Sequence, residues 1–171
     1  PRRDLSGIWD GGPAGVGATG QQAERAAARA PFTPLGEQMV KENRPGNGPR
    51  RVAVAEINDP LSTLGDPAGF PRLVTFELRG VQIVQTQAQV LMLYLFEKRW
   101  RTIWTNGRSL PKEADPRWYG YSVGRWEGAT LVIDARNFVE DTWFGEKGYF
   151  HTDAMRVTER LWRNGEDLVW Q

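Results

Sequence analysis

From Gly80 onward, apolar residues come in short runs separated by tight-turn residues; upstream they are sparse and broken by glycine and proline. Val81 to Thr86, Gln89 to Lys98 and Arg101 to Thr105 are rich in β-branched and aromatic side chains, which fit a pleated, half-buried surface. Asn106-Gly107 then predicts a two-residue hairpin turn, since both residues tolerate positive φ. Trp118 to Trp126 and Thr130 to Ala135 predict two more strands, joined by a turn at Glu127-Gly128. Met155 to Trp162 alternates, and Asn164-Gly165 turns the chain into Leu168 to Trp170. Short strands with tight turns predict a mainly β fold, an antiparallel barrel or sandwich.

The first half predicts less sheet. Residues 11–20, GGPAGVGATG, are too glycine-rich for a regular element and predict a loop. They lack the lysine of a G-x-x-x-x-G-K-[ST] phosphate loop. Residues 21–30 favour helix by propensity, and Pro31 ends it. Pro34 opens a second short helix to about Asn43, with Leu35, Met39 and Val40 on one side. Residues 51–80 are irregular, with Pro60, Pro67 and Pro71. The expectation is one domain over 1–171, with an extended or helical arm at 1–50 and the β barrel at 51–171.

One strand departs from simple alternation. Side chains alternate faces along a strand, so Val90, Met92, Tyr94 and Phe96 share one face, and Leu91, Leu93 and Leu95 the other. Both faces are apolar, so something must cover the second. The helices of residues 20–44 are one candidate and a partner protein is another.

Composition narrows the function classes. A net charge of +1 offers no basic excess for nucleic acid or for anionic lipid. The longest apolar run, Val90 to Phe96, falls far short of the roughly 18 residues that span a bilayer, so no transmembrane segment is expected within the chain. Without cysteine there is neither disulfide nor thiolate chemistry, and one histidine is too few for an ordinary zinc site. No cofactor and no metal are expected. Eight tryptophans are the compositional oddity. They suit core packing, ring stacking or interfaces.

Candidate chemistry is thin. His151 has no G-x-S-x-G serine to activate. Glu159 sits between Val157 and Leu161 at strand spacing and is expected to point inward, where it needs a partner among Arg99, Arg101, Arg108, Arg125 and Arg136. Asp4, Asp134 and Asp153 are candidates for a second carboxylate in acid–base work.

The segments Asp4-Leu-Ser-Gly-Ile-Trp-Asp10, Ile103-Trp-Thr-Asn-Gly-Arg-Ser-Leu-Pro111 and Trp118-Tyr-Gly-Tyr-Ser-Val-Gly-Arg-Trp-Glu-Gly-Ala-Thr-Leu-Val-Ile-Asp134 stand in this order, followed by His151-Thr-Asp153 and Val157-Thr-Glu-Arg160. Together they resemble a large family of exported bacterial proteins of unassigned function. The resemblance implies a lipocalin-like barrel and a periplasmic or secreted location, with a signal peptide removed ahead of Pro1. It covers most of the chain. Departures fall on polar positions: Asn106 where the family has Asp, Tyr121 where it has His, Ala129 where it has Asp, and no cysteine in the Pro-rich middle segment. These departures imply that any family activity is lost here; His151, Asp153 and Glu159 match and are the residues to test for catalysis.

The resulting expectation is a non-catalytic extrinsic subunit docked on a larger cell-envelope assembly, a membrane electron-transfer or photosynthetic reaction-centre complex being one example. Residues 1–20 and the loop at Trp143-Phe144 are the expected interface. The alternative is a lipocalin-like protein or enzyme that takes a carbohydrate or small apolar molecule into the barrel. An enclosed, Trp-lined cavity favours the alternative; a filled barrel with an apolar outer patch favours docking.

Overall fold

A computed structural model describes residues 3–10, 31–75 and 80–171. Its frame is one sheet of eight strands in sequence order, curled into a nearly closed barrel. The strands are β1 (Gly7–Asp10), β2 (Gly80–Gln85), β3 (Gln89–Tyr94), β4 (Trp100–Trp104), β5 (Tyr121–Glu127), β6 (Thr130–Arg136), β7 (Val157–Asn164) and β8 (Asp167–Trp170). Neighbours from β1 to β4 pair antiparallel, as do neighbours from β5 to β8. The two halves meet in a short parallel seam, where Ile103 is opposite Ser122 and Trp104 opposite Val123. The expected mainly β barrel with short N-terminal helix is therefore observed.

Three expectations need correction. Asn106-Gly107 does turn, with Gly107 at φ 81°, but it does not join adjacent antiparallel strands. Residues 105–120 cross over and deliver β5 parallel to β4. The stretch after the turn, with Pro111, Pro116 and several charges, has no alternating pattern to pair back. It is pinned instead to the end of β6 and the residue after it: the Arg136 guanidinium donates to the carbonyls of Leu110 and Pro111, and the Asn137 amide donates to that of Ala114 at 3.2 Å.

The second correction concerns the arm. β1 is a barrel strand, with Gly7 opposite Ile83, and Leu5 just before it is fully buried in the main core. Residues 1–50 are thus not all outside the barrel. The third concerns the row Leu91, Leu93 and Leu95. Helix α1 (Pro34–Glu42) begins after the N-cap Thr33, whose hydroxyl accepts from Gly36 N–H. It does not serve as the cover over that row. It is anchored by the Asn43 amide on the Gly148 carbonyl at 2.8 Å and by Phe32 stacked on Tyr149. The expected helix at 21–30 and the glycine-rich loop at 11–20 lie outside the described residues.

The barrel is filled by its own inward rows. Val81 and Ile83, then Val90 and Met92, then Ile103, Leu131, Ile133 and Leu161 form one cluster, each at most 2% exposed. Ala68 and Leu73 join them from the segment that carries α2 (Pro60–Thr63) and α3 (Arg72–Thr75). That segment is stapled by a buried bidentate pair, the two terminal nitrogens of Arg72 each lying 2.8 Å from an Asp59 carboxylate oxygen. Asp59 also caps α2 through Leu61 N–H. No described helix is long and apolar enough to cross a membrane.

Candidate functional site

The parallel seam is short, and the rest of β4 has no strand paired to it on the β5 side. There a cleft of about 420 Å³ opens between β4 and residues 116–122. Period-2 alternation decides what lines it. Arg101 and Ile103 turn into the barrel, which leaves Trp100, Thr102 and Trp104 on the outer face of β4. Trp118, Tyr119 and Tyr121 line the cleft from the crossover and the start of β5. Two rings carry cations: the Arg108 guanidinium sits 3.6 Å above Trp104, and that of Arg117 4.4 Å above Tyr121.

Gly120 makes the close approach possible. It has φ 60°, and a Cβ there would lie 2.7 Å from both the Arg136 carbonyl and the Phe138 ring. Tyr119 is fixed by a 2.6 Å hydrogen bond from its hydroxyl to Glu97, whose other oxygen accepts from Ala68 N–H at 2.7 Å. Burial, reinforced by the Glu97 carboxylate, pushes the Tyr119 phenol well above its ordinary pKa, so it stays a donor. Glu97 and Lys98 both hold left-handed backbone, at φ 58° and 50°. Two such non-glycine residues in a row are strained, and the Glu97 hydrogen bonds keep the first in place.

Behind the cleft lies a buried polar cluster. Arg101 donates to both Glu159 oxygens, at 3.0 and 2.6 Å, and through Nε to Ser122 at 2.9 Å. Trp170 Nε1 donates to Glu159 at 3.0 Å, and the guanidinium lies 4.2 Å from the Phe70 ring centre. The inward Glu159 expected from strand spacing is thus present, with Arg101 as its partner. Burial disfavours the Arg101 charge, but Glu159 and then Tyr94 outweigh it and raise its pKa. Burial also raises the Tyr94 hydroxyl to about 12. Each group is engaged, so the cluster offers neither an open carboxylate nor a free base.

His151 stands elsewhere. Its Nδ1 lies 3.3 Å from the Thr152 carbonyl and its Nε2 2.7 Å from the Thr142 hydroxyl, which also reaches the Val139 carbonyl at 3.4 Å. Burial lowers its pKa and favours the neutral ring. A smaller cavity of about 230 Å³ touches His151, Phe32 and Tyr149 but not Thr142. Thr142 lies against Gly69, where a Cβ would come within 2.4 Å of its methyl carbon. His151 and Thr142 form a hydrogen-bonded pair without a carboxylate to orient it.

The three residues singled out for catalysis are not brought together. His151 packs edge-on to Phe138, Phe138 stacks on Phe70, and Phe70 lies against Arg101, so two phenyl rings intervene before the Glu159 pair. Asp153 is exposed, and its N–H donates to Glu140 at 2.7 Å. Asp134 is engaged by Thr158 and Arg125 on the outer face, and Asp4 accepts from Ser6 N–H. Of the expected interface pair, Trp143 is 5% exposed and packed within the fold, while Phe144 is half-buried. Among the described residues no cluster of three or more His, Cys, Asp or Glu is placed to hold a metal ion. A scan against protein-family models, a search of curated proteins and a search of solved structures each returned no match.

The cleft is what sequence reasoning missed. Its signal was the spacing Trp100, Thr102, Trp104 on one strand, answered across a proline-broken stretch by Trp118, Tyr119 and Tyr121.

Proposed function

We propose that this protein is a non-catalytic extrinsic subunit, held on a larger cell-envelope assembly by the outer face of its β1–β4 half. One observation carries the reading: large apolar side chains stand exposed in a row across adjacent strands. Ile8 is opposite Gln82, Gln82 opposite Leu93, and Leu93 opposite Trp100. Ile8, Leu93 and Trp100 are 81%, 36% and 64% exposed, and Leu95 beyond them is 67% exposed. Exposed apolar surface clustered in this way marks interaction sites, and Trp is favoured at their centres. The filled barrel and the saturated Arg101–Glu159 cluster support the absence of catalysis in this reading. The cell-envelope location rests on the family resemblance.

The test is mild extraction from the native envelope, followed by sizing and identification of what travels with the protein. The expected result is migration well above the 19.3 kDa of the chain. A Leu95→Glu, Trp100→Ser variant should then run alone with its melting temperature unchanged. Migration of the native protein alone in every gentle preparation contradicts the proposal. So does a variant that stays in the assembly.

A further inference from the structure

We infer that the cleft between β4 and the 116–122 segment is a binding site for a small aromatic anion, a flat ring bearing a carboxylate. A volume of about 420 Å³ lies within the range of small-ligand pockets. Its described lining combines Trp100, Trp104, Trp118, Tyr119 and Tyr121 with Arg99, Arg101 and Arg117, and no carboxylate is among it. Aromatic walls take a planar ring by offset or edge-on packing. The charge of Arg101 is balanced from within by Glu159. Arg99 and Arg117, both exposed, are left to face an anion. The Arg117 guanidinium lies 4.4 Å from the Tyr121 ring centre at the cleft, and a guanidinium placed there can grip a carboxylate in two-point fashion. The same arrangement repels a cation and gives a neutral ring only half of its contacts.

The walls are set before a ligand arrives. Tyr119 is locked to Glu97, and Gly120 presses the crossover against the end of β6. Little ordering is left for binding, which lowers its entropic cost. The site shares only Trp100 with the exposed apolar row, so this inference and the docking proposal fail separately.

The experiment is isothermal titration calorimetry of the full chain with 2-naphthoate, and with 2-naphthamide as its uncharged counterpart. One saturable site is expected, with the amide at least about tenfold weaker. Arg99→Gln with Arg117→Gln should bring naphthoate down to the amide's level. Trp118→Ala should weaken both ligands by about tenfold or more. Arg125→Gln, an exposed arginine outside the cleft, should change nothing. Arg99 and Arg117 are surface residues, so their variants report on binding rather than folding, which near-ultraviolet circular dichroism checks. No saturable binding of naphthoate, equal affinity for the amide, or an Arg125→Gln loss as large as that of the double variant would each overturn the inference.

Discussion

On the two sides of β4, arginine meets aromatic rings under opposite conditions. Inward, Arg101 is fully engaged by a bidentate carboxylate, a serine hydroxyl and the face of a phenyl ring. Outward, one residue away, Trp100 stands 64% exposed and arginines stack on ring faces at the rim of an open cleft. A buried charge must be paired where it sits, because desolvation outweighs anything looser. An exposed one is free to meet something else. The inner face therefore accounts for stability, and the outer face leaves rings and cations open to solvent.

The sharpest way to break this contrast is inside. Glu159→Gln leaves Arg101 as a buried cation without its anion, and a loss of about 3–5 kcal/mol is expected in urea unfolding. Replacing both partners, with Arg101→Met and Glu159→Leu, should recover most of that loss, since an apolar pair of similar volume removes the uncompensated charge. A single variant as stable as the parent would show that the pair does not hold the interior.

A smaller effect is expected at the boundary between the faces. Gly120→Ala forces a positive φ on alanine and a Cβ into the Arg136 carbonyl, and the strain alone costs on the order of 1–3 kcal/mol. Gly107→Ala forces a comparable positive φ but meets nothing within 4 Å, so it should cost the backbone strain without the clash, and less than Gly120→Ala. Equal melting temperatures for the two would mean that the crossover is not pressed on β6.

Smaller still is a pH effect at His151. Its folded pKa is lowered by burial, so between its folded and unfolded values the unfolded chain binds more protons. The stability it contributes is whole above the ordinary value of 6.5 and is lost as pH falls from there through the folded value. Urea unfolding of the parent, compared with His151→Gln at pH 8 and pH 5, should show the parent losing more on acidification. Identical pH profiles would place the imidazole in water. Least of all should happen on the outer face, where Leu95→Glu and Trp100→Ser should each shift stability by no more than about 0.5 kcal/mol. Losses of several kcal/mol there would make the row part of the core.

Most strands after Gly80 were legible, because a half-buried pleat favours alternation and β-branched or aromatic residues: β2 alternates, and β3 and β5 are marked by their residue types. The inward Glu159 was legible for the same reason, flanked by Val157 and Leu161. Its choice of Arg101 over four other arginines was not, since that depends on which strand lies across the barrel. Asn106-Gly107 misled because a turn sequence fixes local backbone but not the strand that follows. β1 was hidden by its length: four residues, GIWD, carry little period of their own, and they join the sheet only because Gly80 to Ile83 lies ready to pair with them. The cleft was hidden because its walls converge across a parallel contact that no local pattern announces.

The position of β1 bears on how the chain reaches this state. Among the described residues its one strand partner is β2, with Gly7 opposite Ile83. Every other antiparallel pair joins strands that are consecutive across a much shorter stretch of chain, and short closures form first because they sacrifice less chain freedom. β1 is thus the last strand to enter the sheet and the first to leave it. Away from β2, Arg163 donates to the Ser6 carbonyl at 2.8 Å and lies over Trp9. Amide hydrogens of residues 7–10 should therefore trade with solvent deuterium well before those of β5 to β7, through an opening that leaves the remaining seven strands assembled.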